Sequence, residues 1–153
     1  MLEQMRGTPW ASYPQPEWNT PGGLIEALSA VQGASDAESS HAAYDRFLYA
    51  VGNYHAGTYY PVLLATLPFL EALLQTGGDW PQRTVLRVLD DLIASFQPEP
   101  GYACLALANG REQDVANAFS GAMHCMQATL EDIRTGGGAN ASLAHGVLDL
   151  LVL

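Results

Sequence analysis

The sequence predicts an all-α protein built as a stack of helical hairpins, and three observations predict it. Apolar residues recur at three- and four-residue intervals through most of the chain, the spacing of one buried helix face. Pro and Gly punctuate these runs where helices should start and stop. The pattern also repeats after about 41 residues, so that Leu48 falls on Leu89 and Leu130, Val51 on Leu92 and Ile133, and Tyr44 on Val85 and Met126. Stacked hairpins bury their apolar faces only against each other, so equivalent positions must be apolar in every unit.

Residues 1–19 carry Pro9, Trp10, Tyr13, Pro14, Pro16 and Trp18. That composition predicts an extended arm with its Trp residues packed on the body. Residues 20–153 then form a single helical domain. Thr20 and Pro21 read as a helix start, with Leu24, Ile25, Leu28 and Val31 on its apolar face and Gly33 at its end. Ser35 and Glu38 have the spacing of a capping box, followed by Ala37, Tyr44, Phe47, Leu48 and Val51 at helical intervals. Residues 52–58, GNYHAGT, read as a loop. Pro61 opens a Leu-rich helix interrupted by Pro68 and closed by Gly77 and Gly78. Asp79 and Pro81 begin the next, with Val85, Leu89, Leu92 and Phe96 along its stripe. Residues 97–101 read as a turn and 102–108 as a short helix. Residues 112–134 read as one helix, with Glu112 and Asp114 at its positive end and Arg134 at its negative end. A last helix, Ser142 to about Leu151, is expected to cover the open end of the core.

The stretch YPVLLATLPFLEALLQTGGDWPQRTVLRVLDDL resembles a HEAT repeat. It carries the Pro-interrupted first helix, a turn at Asp79, Arg83 shortly after, and an apolar second helix. A longer stretch, roughly Trp10 to Tyr102, is similar to bacterial HEAT-like proteins with a Gly-Asn-x-x-His-x-Gly-Thr-x-Tyr type segment before the first such helix. Here that segment departs in spacing and reads Gly52, Asn53, Tyr54, His55, Ala56, Gly57, Thr58, Tyr59. The resemblance implies a right-handed HEAT-like α-solenoid of about three units. Some proteins of that kind look like immunity proteins of bacterial toxin systems.

The charge narrows the partners. Sixteen acids face six bases, all of them Arg, for a formal net charge of -10. Nucleic acid and anionic membrane surfaces demand clustered positive charge, so neither is expected as a partner. The longest apolar stretch of note, TYYPVLLATLPFL, is shorter than the roughly 20 residues a membrane span needs. Nothing at the N-terminus reads as a secretory signal. Cys104 and Cys125 read as two reduced, buried thiols, which fits a cytoplasmic protein.

Few residues suggest reaction chemistry. The four His come from four different segments, and no metalloprotease, phosphate-loop, dinucleotide or nucleophile-elbow motif is present. His41 and Asp45 share a helix face, which suits a solvated pair or two ligands of a metal completed by His55; no metal or other cofactor is expected. The loop around His55, with Tyr54 and Tyr59, either packs on a neighbouring helix or forms a recognition surface. In the 41-residue register Asp90 falls on Glu131 and Asp91 on Asp132. In a regular stack these four would make a negative ridge, either a solvated face or a docking surface for a basic protein. The expectation is a non-catalytic protein-binding module, an immunity protein for a cognate toxin domain. The alternative is a scaffold or adaptor, homo-oligomeric through its apolar C-terminus.

Overall fold

Helices dominate the computed structural model, which describes residues 1–153. In chain order they are α1 (Leu2–Gly7), α2 (Gly23–Gln32), α3 (Ala37–Val51), α4 (Val62–Thr76), α5 (Asp79–Ser95), α6 (Val115–Cys125), α7 (Gln127–Thr135) and α8 (Ala141–Leu151). Five short strands lie between them: β1 (Gly52–Asn53), β2 (Thr58–Tyr59), β3 (Gln97–Pro98), β4 (Cys104–Ala106) and β5 (Glu112–Asp114). No helix is long and apolar enough to cross a membrane.

Two helical hairpins, α2 with α3 and α4 with α5, pack side by side, so that α3 lies against α5 and α2 against α4. Ser40 meets Thr84 at 2.7 Å between buried hydroxyls, and one turn further Tyr44 donates to Asp91. Both contacts advance in the same chain direction, so α3 and α5 run parallel. Helix α8 lies on the other side of α5 and also runs parallel to it. Asn140 at its head donates to the Asp79 carbonyl at 2.9 Å and to Gln82 at 3.0 Å, while further on Gly146 faces Asp90. Helix α7 packs against α8 and α4. Leu48, Leu89 and Leu130 have no exposed surface and belong to one continuous core.

Several expectations give way to the structure. The arm begins as a helix, α1, and Trp10–Ser12 make a turn of 3-10 helix. Pro is confined to positions after α1, so nothing prevents residues 2–7 from coiling. Trp10 is packed as expected: its indole donates to the Met5 carbonyl at 2.7 Å and its ring faces Phe69. Helix α2 starts at Gly23, not at Thr20 and Pro21. The capping box before α3 is Asp36 with Ser39, one residue after the Ser35 and Glu38 pair: the Asp36 carboxylate accepts the Ser39 N–H at 2.7 Å and the Ser39 hydroxyl accepts the Asp36 N–H. A carboxylate is the better acceptor at the positive end of a helix.

The largest departures lie between α5 and α7. Residues 102–108 are not a helix: β4 and β5 form an antiparallel hairpin, with Leu105 opposite Gln113. The helix expected over 112–134 therefore begins only at Val115, capped by Asp114, whose carboxylate accepts the Asn117 N–H at 2.8 Å. It breaks at Met126 into α6 and α7. Cys104 and Cys125 are exposed free thiols, not buried ones. The third member of the 41-residue register, on α7, stands beside α4; the place beside α5 belongs to α8. That last helix packs on both α5 and α7.

Candidate functional site

The segment 52–58, expected as a loop, is the turn of a hairpin. Gly52 pairs with Tyr59 and Asn53 with Thr58, and β3 adds a parallel third strand through Gln97 and Pro98. Two glycines permit this. A Cβ on Gly52 would sit 2.0 Å from the Thr58 carbonyl oxygen, and Gly57 turns the chain at φ +65°. The Asn53 side chain accepts the Ala56 N–H at 3.2 Å. The tip thereby presents Tyr54 and His55 to solvent.

These two residues do not stand alone. The Tyr54 ring meets Tyr44 edge-on at 6.1 Å and stacks beside Phe96 at 6.4 Å, with the His55 ring 5.7 Å from Tyr54. Tyr44 carries the contact inward. It is buried on α3 and its hydroxyl donates to Asp91 on α5. Burial, and then the bond to Asp91, push that hydroxyl far above the ordinary tyrosine range. The Arg87 guanidinium covers the Tyr44 ring at 4.8 Å, a cation–π contact. Beside it a cleft of about 480 Å³ opens between α5 and α8, lined by Arg83, Arg87, Asp90, Asp91 and the first turns of α8. Partial burial, and then the neighbouring Asp91, raise the Asp90 carboxyl above the usual carboxylate range.

Tyr54 and Asp91, separate candidates in the sequence, are thus joined through Tyr44; His55 lies beside Tyr54, and Asp90 lines the cleft with Asp91. The other candidates lie elsewhere. Tyr59 is 3% exposed and packs on Phe119 at 5.6 Å, so it belongs to the core rather than to a recognition surface; burial, with Asp114 nearby, pushes its hydroxyl up to about 12. Glu131 pairs with Arg134 at 2.6 Å, and Asp132 faces a hollow with Leu74, Gln75 and Thr129. The four-acid ridge is not formed, because α8 occupies the place beside α5 that the ridge required of α7. His41 pairs with Asp45 at 3.4 Å and His145 with Asp149 at 3.6 Å, and no three His, Cys, Asp or Glu side chains converge as metal ligands would.

Tyr44, Phe96 and Arg87 are the site residues that sequence reasoning missed. The helical stripe had assigned Tyr44 and Phe96 to the core, and its period says nothing about a hydroxyl reaching a neighbouring helix. The face as built offers aromatic rings and carboxylates to a cationic or amphipathic group. Comparisons with protein-family models, with curated proteins and with solved structures found no match.

Proposed function

We propose that this chain is a non-catalytic protein-binding module, an immunity protein that neutralises a bacterial toxin by docking it on the Tyr54, His55, Asp90 and Asp91 face. The observation that carries the reading is that Tyr54 and Asp91, from two distant segments, both meet Tyr44, with His55 beside Tyr54 and Asp90 beside Asp91. Tyr is among the residues that concentrate energy at interfaces, and exposed carboxylates steer a partner of opposite charge. The parallel row of α3, α5 and α8, each with a hairpin partner, supports a HEAT-like stack in which the segment carrying β3, β4, β5 and α6 is inserted before the third hairpin. The resemblance of roughly Trp10 to Tyr102 to bacterial HEAT-like proteins, some of which look like immunity proteins, supports the toxin as partner, and the charge of -10 supports a basic toxin domain. The exposed thiols Cys104 and Cys125 suit a reducing cytoplasm. The reading requires neither cofactor nor metal, and no nucleic acid or membrane as partner.

The test is association with the product of the adjacent gene across a salt series. Between 0.01 M and 0.15 M the Debye length falls from about 30 Å to about 8 Å. The association rate should drop steeply over that range while dissociation changes less. Reversing Asp90 and Asp91 to Arg should slow association further. A flat salt dependence, or normal binding by the double variant, excludes this face as the docking surface.

A second reading, a homo-oligomeric scaffold, is favoured by one feature. Val152 and Leu153 are exposed next to an apolar hollow of about 410 Å³ lined by Phe96, Phe119, Met123 and Leu151. Its self-association would tolerate salt, since apolar contact is not screened, and light scattering at rising concentration separates the two readings.

A further inference from the structure

A second aromatic surface lies outside the face described above. Four chain segments meet there: the arm, the end of α3, the residue after β2, and the turn after β3. Trp18 and Tyr49 pack with ring centres 5.0 Å apart, and the Trp18 indole donates to the Tyr49 carbonyl at 2.9 Å. Tyr60 and Tyr102 form a second pair at 4.9 Å. The Tyr60 N–H bonds to the Val51 carbonyl at 2.8 Å, which fixes this pair beside the end of α3. Trp18 is 39% exposed, Tyr49 50% and Tyr102 39%, so each keeps a substantial part of an aromatic side chain open to solvent.

Two carboxylates belong to the same surface. Glu17 precedes Trp18, and Glu99 is tied to the Tyr102 turn by the Tyr102 N–H to Glu99 carbonyl bond at 2.9 Å. Both lie close enough to the Tyr60 hydroxyl to help burial raise it above the ordinary tyrosine range. No Arg pairs with either: the acids held in Arg ion pairs are Glu26 and Glu131. The Trp18 ring is held by its bond to the Tyr49 carbonyl and the four rings pack in pairs, which reduces the side-chain freedom left to lose on binding.

We propose that Trp18, Tyr49, Tyr60 and Tyr102, with Glu17 and Glu99, form a docking surface for a basic segment of a protein partner, holding an Arg side chain by cation–π contact and charge. Electron-rich ring faces attract a cation, Trp and Tyr most strongly, and a guanidinium also stacks flat on them. The flanking carboxylates select a cation over a neutral group, which is the argument for Arg rather than a sugar or an apolar side chain. The rings are presented on an open surface, which suits a side chain delivered by another protein.

The probe is the peptide Gly-Ser-Arg-Ser-Arg-Ser-Gly, with the same peptide carrying citrulline for arginine as its uncharged isostere. Titration of the full chain, followed by the indole N–H signals of Trp10, Trp18 and Trp80, should move Trp18 and leave the other two in place. Tyr102→Ala and Glu17→Gln should each weaken binding roughly threefold to tenfold, the span expected for one exposed cation–π or charge contact. Glu38→Gln, exposed at the start of α3, removes the same charge elsewhere and should change binding less than about twofold. The citrulline peptide should not bind measurably. Equal binding of the two peptides, equal loss from Glu38→Gln and Glu17→Gln, wild-type binding by Tyr102→Ala, or no shift of Trp18 would each overturn the proposal. Trp18→Phe keeps a ring while removing the indole donor; retained binding with a lowered melting temperature would support the ring's role and assign the hydrogen bond to structure.

Discussion

Leu89 has no exposed surface and lies in the one helix that touches α3, α4 and α8. Leu89→Ala should therefore cost about 2–5 kcal/mol, the range for a large-to-small change in a close-packed core, read as a shift in the denaturant midpoint. The adjacent Asp90 behaves in the opposite sense. Its carboxyl titrates above the ordinary value of 3.8 because burial and Asp91 disfavour its charge. A raised folded-state value means that the ionised form costs stability at neutral pH, and that this cost is relieved as the pH falls towards 3.8. Asp90→Asn should stabilise the protein at pH 7 by about 0.5 kcal/mol or less, since the burial is only partial and solvent screens the rest, and the gain should shrink on acidification. Asp36 has the reverse sign. The Ser39 N–H holds its carboxyl below 3.8, so its contribution is present above that value and is lost as the pH falls through the lowered one. Asp36→Ala should lower the melting temperature at pH 7 and have little effect under strongly acid conditions.

At the scale of elements, the hairpin of β1 and β2 depends on Gly52. Ala at this position drives a Cβ into the Thr58 carbonyl, so Gly52→Ala should cost more than about 1 kcal/mol and displace Tyr54 and His55 together. Circular dichroism melts and the chemical shifts of the hairpin would show it. Helices α3, α4 and α5 were legible in the sequence within a residue or two, because each is long and carries an unbroken apolar stripe. The hairpin of β4 and β5 was not. Only Leu105 among its residues is buried, so the alternation that reveals a strand is a single residue long. Its one clear signal is the Asn109-Gly110 turn, with Gly110 at φ +77°. The break at Met126 has no Gly or Pro to announce it; tertiary packing of α6 on α4 and of α7 on α8 sets it. The candidate site was half legible for a related reason. Tyr54, His55, Asp90 and Asp91 stood out as residue types, but their juxtaposition depends on the parallel contact of α3 with α5, while Glu131 and Asp132 were placed on the other side of α5 by a register that α8 displaces.

For the whole molecule, the arrangement of charge and rings separates folding from recognition. His55 is exposed and makes no side-chain hydrogen bond or ion pair within the chain, so His55→Ala should leave stability within about 0.5 kcal/mol of wild type while, on the proposed function, weakening capture of the partner. Melting curves beside a binding assay check both halves, and a large loss of stability would return the loop to a packing role. The contact of α8 with α5 joins helices separated along the chain by residues 96–140. Such a closure sacrifices chain entropy before it returns any burial, whereas the α2–α3 and α4–α5 hairpins form from near neighbours. The expected order of assembly is that α2 to α5 condense first and α8 closes on them late. Amide exchange in α8 should accordingly proceed through a partial opening that leaves the centre of α5 protected. One wall of the cleft beside Asp90 is α8 itself, so the cleft exists only once that last closure is made, and any partner that gripped it would also hold the latch of the fold shut.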